Sequence, residues 1–134
     1  MKITIETTAE APVATVWDAY VNPADIVQWN AASDDWHTTD AQVELREGGG
    51  FSWRMEARDG SAGFDFAGTY TEIVEHERIE YAFGDRTAQV TFDDQGSATR
   101  VMITFDAETE NPPEMQQAGW QAILDRFAQH VERT

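Results

Sequence analysis

From about Ala41 to Phe105 the chain alternates apolar and polar residues again and again, and turn-forming residues cut this alternation into strand-sized lengths. No other feature constrains the fold as much. A period of two marks strands with one buried face, and short turns between successive strands make neighbours antiparallel. Gly48-Gly49-Gly50 leads into a strand with Phe51, Trp53 and Met55 on one face and Ser52, Arg54 and Glu56 on the other. Asp59-Gly60 is the next hairpin signal. Phe64, Phe66 and Tyr70 share a phase that Ile73 breaks, which predicts a bulge or a strand end near Thr71. Three further strands carry Ile79, Tyr81 and Phe83, then Ala88, Val90 and Phe92, then Val101, Ile103 and Phe105. Gly84-Asp85 and Asp94-Gln95-Gly96 separate them. The reading is a long antiparallel meander.

The flanks of the meander have other periods. Residues 2 to 8 alternate and predict a strand, after which Pro12 suits the first turn of a helix bearing Val13, Val16, Trp17 and Tyr20. Asn22-Pro23 breaks that helix and starts a second, short one, with Asn22 as its cap and Ile26, Val27 and Trp29 directed inward. The polar stretch from Asn30 to Thr39 reads as a loop containing Trp36. Asn111-Pro112-Pro113-Glu114 predicts a third helix over 112–131, with Asn111 as cap and Trp120, Ile123, Leu124, Phe127 and Val131 on one stripe. Together these elements predict one α+β domain over 1–134, its helices gathered on one face of the sheet.

Charge then narrows the partners. Nine basic residues face twenty-five acidic ones, a net of -16, spread along the chain. Such a field repels nucleic acid and anionic membranes, so neither is expected as a partner. No run approaches the roughly 18 apolar residues of a spanning helix. The start, Met1-Lys2-Ile3-Thr4-Ile5-Glu6, lacks the apolar core of a secretion signal, and the expectation is a cytoplasmic protein. With no cysteine, disulfides, thiolate nucleophiles and sulfur-ligated metals are excluded.

Several strings, in order along nearly the whole chain, carry a resemblance. They are Ala11-Pro12 leading to Val16-Trp17, Gly48-Gly49-Gly50-Phe51, and Gly68-Thr69-Tyr70-Thr71-Glu72-Ile73 followed by Arg78-Ile79-Glu80-Tyr81. Val90-Thr91-Phe92, Thr99-Arg100-Val101 and Gly119-Trp120-Gln121-Ala122-Ile123-Leu124 complete the series. The sequence resembles the START/SRPBCC helix-grip superfamily of lipid carriers, pollen-allergen-like proteins and polyketide cyclases, and is most similar to its AHSA-type branch. That branch is named after co-chaperones that activate the ATPase of the ninety-kilodalton heat-shock protein. The resemblance implies a curved antiparallel sheet gripping a long C-terminal helix, two short helices after the first strand, and an apolar cavity between helix and sheet.

His37, His76 and His130 fall in three different predicted elements, so no metal site is expected. Asp34-Asp35 beside Trp36-His37 reads as a solvated loop rather than an acid and base at a pocket mouth. Gly60-Ser61-Ala62-Gly63 lacks the Gly-x-Ser-x-Gly form and reads as a turn. The Gly48 triplet precedes a strand, so it cannot offer helix N-terminal amides to a phosphate. Asp65, out of phase with Phe64 and Phe66, should point outward.

The seven Phe, five Trp and three Tyr remain, and concave sites for apolar ligands are lined by such rings with a few polar anchors. The candidate ligand-binding residues are Trp53, Met55, Phe64, Phe66, Tyr81, Phe83, Phe92, Met115 and Trp120, with Tyr70 and Tyr81 able to hydrogen-bond a ligand oxygen. The function expected is binding of a small apolar, aromatic or lipid-like molecule, with no cofactor and no catalytic residue assigned. Two alternatives stay open: an accessory of the ninety-kilodalton chaperone, and a polyketide cyclase or lyase in which Tyr70, His37 or Asp34 converge. The oligomeric state is left undetermined.

Overall fold

The alternation between residues 41 and 105 is realised as consecutive hairpins. The computed structural model describes residues 1–133, and its elements run β1 (Lys2–Ala9), α1 (Val13–Val21), α2 (Pro23–Trp29), β2 (Trp36–Val43), β3 (Gly50–Ala57), β4 (Gly63–Val74), β5 (Arg78–Phe83), β6 (Arg86–Asp94), β7 (Thr99–Asp106) and α3 (Pro113–Arg133). All strands join one curled antiparallel sheet of order β1-β7-β6-β5-β4-β3-β2, with α3 packed on its inner face. From β2 to β7 every strand pairs with its neighbour in sequence. β1 alone is out of order, added beside β7.

Turn chemistry fits the hairpins. Gly60, Gly84 and Gly96 occupy positive φ in their turns, where a side chain would be strained. The expected break near Thr71 is a register shift between Tyr70 and Glu72 in the β4–β5 pairing. It brings Ile73 opposite Ile79, so that Ile73 packs partly buried against the core on the same side as Tyr70.

Four local expectations are corrected. A strand, not a loop, begins at Trp36. As an edge strand it has a half-solvated pattern, and a register shift between Thr38 and Asp40 breaks the alternation that would have marked it. Pro12 stands at the N-cap of α1 with extended ψ, outside the helical turn. Val27 is only half-buried, whereas Ile26 and Trp29 are buried. Asn111 does not cap α3, because its amide donates to the Glu108 carboxylate while the Pro112 carbonyl accepts from the N–H groups of Met115 and Gln116. Buried Gln116 holds that corner instead, accepting from Glu108 N–H and donating to the carbonyls of Glu108 and Asn111.

Asn22 caps α2 as expected, accepting from Ala24 N–H at 3.0 Å. The stripe of α3 faces the sheet: Trp120 stacks on Phe105 with ring centroids 3.8 Å apart. About two turns further along, Phe127 meets Tyr20 at 5.4 Å and Trp29 at 5.0 Å, which ties α1 and α2 to α3. None of the helices among the described residues is long and apolar enough to cross a membrane.

Candidate binding cavity

The position of α3 on the sheet creates the site. The helix lies close to β1, where Gln121 donates to the Glu6 carbonyl at 2.9 Å, and the Trp120–Phe105 stack holds it to β7. The wing made by β3 and β4 curls past the helix, and the aromatic side chains of its inner face stop short of filling the gap. The result is an open-ended cavity of about 250 Å³.

Each element contributes to its wall through its inward phase. β3 supplies Trp53 and Met55, β4 supplies Phe64 and Phe66, β5 Tyr81 and β7 Ile103. The helical side consists of Tyr20, Trp29, Trp120, Ile123 and Leu124, with Asn30 just past the end of α2 and Arg86 at the start of β6. The rings brace one another: Trp53 and Phe66 stack at 5.6 Å, and Phe66 meets Trp120 edge to face at 6.2 Å. Such contacts hold the wall in shape.

The polar groups in this wall differ in how they are satisfied. Burial pushes the Tyr81 hydroxyl pKa up, and Tyr20 is raised by burial and then by its phenolic neighbours Tyr81 and Tyr70, so both are neutral phenols at physiological pH. Arg86 donates to the Asp106 carbonyl at 3.2 Å and lays its guanidinium over the Phe83 ring at 4.5 Å. The indole N–H of Trp29 donates to the Ala19 carbonyl at 2.9 Å. The buried indole N–H of Trp53 and the buried side-chain N–H2 of Asn30 have no such partner among the described residues.

Six of the ten residues expected to face a ligand line this cavity: Trp53, Met55, Phe64, Phe66, Tyr81 and Trp120. Four do not, and each has a structural reason. Tyr70 is buried against Phe51 at 5.3 Å, with its hydroxyl pKa also raised by burial. Phe83 sits behind the wall, between Phe66 and Trp120 and beneath Arg86. Phe92 is covered by α1, through Trp17 at 5.1 Å and Tyr20 at 5.7 Å. Met115, in the first turn of α3, is 61% exposed and borders a separate shallow groove.

Sequence reasoning did not assign Tyr20, Trp29, Ile103, Ile123 and Leu124 to the site, although their apolar phase marked them as inward-facing. Asn30 and Arg86 gave no such signal.

Asp34 lies elsewhere, bonded to Arg126 at 2.6 Å, and that guanidinium holds its carboxyl below the usual range. Asp65 points outward and faces Arg54 at 3.7 Å. His37 is on β2, His76 in the β4–β5 turn and His130 on α3, where its Nε2 lies 2.8 Å from Asp25. Among the described residues no three histidines or carboxylates converge as a metal site would need.

The model of the family described as Activator of Hsp90 ATPase homolog 1-like protein matches residues 10–132. Among solved structures, the AHSA1-like protein from Aeromonas hydrophila is similar at 48% identity and TM-score 0.93, over 99% of this chain and 93% of that one. Chr148 from Cytophaga hutchinsonii is similar at 43% identity and TM-score 0.85, over 98% and 92% of the two chains. Protein CV1439 from Chromobacterium violaceum shares the fold at 24% identity and TM-score 0.86, over 98% and 96%. No curated protein matches the chain significantly.

Proposed function

We infer that this chain, which belongs to the Activator of Hsp90 ATPase homolog 1-like family, holds a small, flat, mostly apolar molecule in the cavity beside α3 and leaves it chemically unchanged. Hydrophobic ligands are a common theme of the wider superfamily. The observation that carries the reading is the aromatic wall around about 250 Å³ of space. A cavity of roughly 150 Å³ takes up benzene, so this one has room for a fused pair of rings. Its polar groups are two neutral phenols, an amide, three indoles and a guanidinium. These can orient a ligand by hydrogen bonds, but none of them exchanges a proton readily near neutral pH.

The test is a titration of the intact chain with mono- and bicyclic aromatic compounds, read by tryptophan fluorescence and by melting temperature. Trp29, Trp53 and Trp120 border the cavity, so occupancy should change the emission saturably. Binding to the folded state adds roughly 2.7 kcal/mol at a hundredfold excess over Kd. For a chain of this length that raises Tm by roughly 10 °C. A panel that leaves both signals unmoved overturns the reading. Stimulation of purified Hsp90 ATPase by the chain, in that same event, would favour the activity for which the family is named.

A further inference from the structure

We propose that the ligand of this cavity carries a hydrogen-bond-accepting oxygen, a carbonyl in the simplest case, that docks on the indole N–H of Trp53 and the side-chain amide of Asn30. This rests on the reading of the cavity as a binding site. Trp53 is 8% and Asn30 2% exposed, and both border the cavity. Their side-chain nitrogens are the two buried polar side-chain atoms without a partner among the described residues. Buried donors are rarely left unmade, because the lost interaction with water is not returned. Trp29, next to Asn30 in sequence and 6.2 Å from Trp53 ring to ring, follows that rule by donating to a backbone carbonyl. A donor on a cavity wall that lacks a protein partner finds one in whatever occupies the cavity.

The chemistry of the two groups restricts that occupant. Indole N–H donates and cannot accept, so its partner must be an acceptor. The Asn30 amide can add a second donated bond. The Trp53 ring and the backbone that carries the Asn30 amide are also held in place before any ligand arrives. The Asn30 backbone donates to the Ile26 carbonyl and accepts from the Thr38 hydroxyl at 2.6 Å, while Phe51 and Phe66 flank the Trp53 indole at 5.1 and 5.6 Å. Donors fixed in advance lose little freedom on binding, so the bond adds to affinity. The ligand class is therefore an aromatic ketone or a related flat molecule with an exposed carbonyl, in preference to a plain hydrocarbon of equal size.

The experiment compares 1-tetralone with tetralin, two fused-ring compounds differing by one carbonyl, on the ¹⁵N-labelled intact chain. The five indole signals are followed by NMR, with Trp53 assigned from its loss in Trp53→Phe. Tetralone should bind about tenfold more tightly, as one added hydrogen bond to a fixed buried donor implies. The Trp53 indole proton should move downfield with tetralone and not with tetralin. In Trp53→Phe and Asn30→Ala the preference for tetralone over tetralin should fall below about threefold, whatever either substitution does to the affinity for tetralin itself. Should either variant fail to fold, the wild-type indole shift decides alone, with Trp53 then assigned by through-bond NMR on the doubly labelled intact chain. Equal affinities with an unmoved Trp53 signal overturn the acceptor proposal and leave the cavity reading intact. If neither compound binds, both fall together.

Discussion

Phe64 and Phe127 are both aromatic and both close to the cavity, yet truncating them should have opposite consequences. Phe64 is 46% exposed and lines the cavity, touching Trp36 at 5.8 Å. Phe127 is fully buried where α3 meets Tyr20 and Trp29. Complete burial of such a side chain contributes roughly 1.5–3 kcal/mol, so half-buried Phe64 accounts for about 1 kcal/mol. Phe127→Ala loses the transfer energy and opens a cavity as well, about 3–5 kcal/mol. With an unfolding entropy near 2.1 cal/mol/K per residue, each kcal/mol corresponds to about 3.5 °C here. Calorimetry should therefore show Phe64→Ala melting about 4 °C below wild type and Phe127→Ala about 10–18 °C below. Ligand affinity should rank the other way. Phe64→Ala removes a ring that packs on the ligand, worth about 0.5–1.5 kcal/mol, and should weaken binding of a bicyclic aromatic roughly three- to tenfold in a fluorescence titration. If Phe64→Ala costs as much stability as Phe127→Ala, or keeps full affinity, the division between wall and core is wrong.

Two further outcomes test other parts of the structure. A Cβ on Gly68 would lie 2.4 Å from the Ala82 carbonyl and 2.9 Å from the Phe51 ring, so Gly68→Ala should cost about 1–3 kcal/mol; a thermal melt coincident with wild type would refute this packing. The Asp106 carboxyl is held down to about 2 by hydrogen bonds from Lys2 first and then from the Thr87 backbone and hydroxyl. A depressed folded pKa stabilises above the unfolded value, about 3.9, and the contribution is lost as pH falls through the folded one. Asp106→Asn should thus melt below wild type at pH 7, and the gap should close between about pH 4 and pH 2. A gap independent of pH would remove the carboxylate's role.

The strands were legible in the sequence wherever one face is buried and the other wet. That condition holds for β3 and β5 to β7, and their inward residues fall where the alternation puts them. It fails for β2, which lies at the sheet edge and has a register shift. The start of α3 was misread at Asn111 because Glu108 and Gln116 compete for the groups a cap would use, and their approach depends on the β7–α3 connection.

The cavity shows a further limit. Inward phase is common to Trp53, Phe66, Phe83 and Phe92, and only the placement of the helices decides which of them are covered. α1 covers Phe92 through Trp17 and Tyr20, whereas Trp53 and Phe66 lie where α3 leans away. Asn30 could not be found from pattern at all, since it ends a short helix and its importance comes from an unmet hydrogen bond.

The displaced position of β1 has a consequence for how the molecule assembles. Strands β2 to β7 need only hairpin contacts between sequence neighbours, a class of event that occurs in microseconds. The β1–β7 pairing joins Lys2 to Asp106 across 104 positions, and closing a loop of that length costs roughly 4 kcal/mol of chain entropy. Since α3 lies against β1 and bonds to it through Gln121, the helix completes its seat, begun by the Trp120–Phe105 stack on β7, when that long loop closes. Local pairing thus assembles the aromatic face of the meander before the helical wall that completes the pocket. A ligand that needs both walls would therefore stabilise the most non-local strand pairing of the sheet.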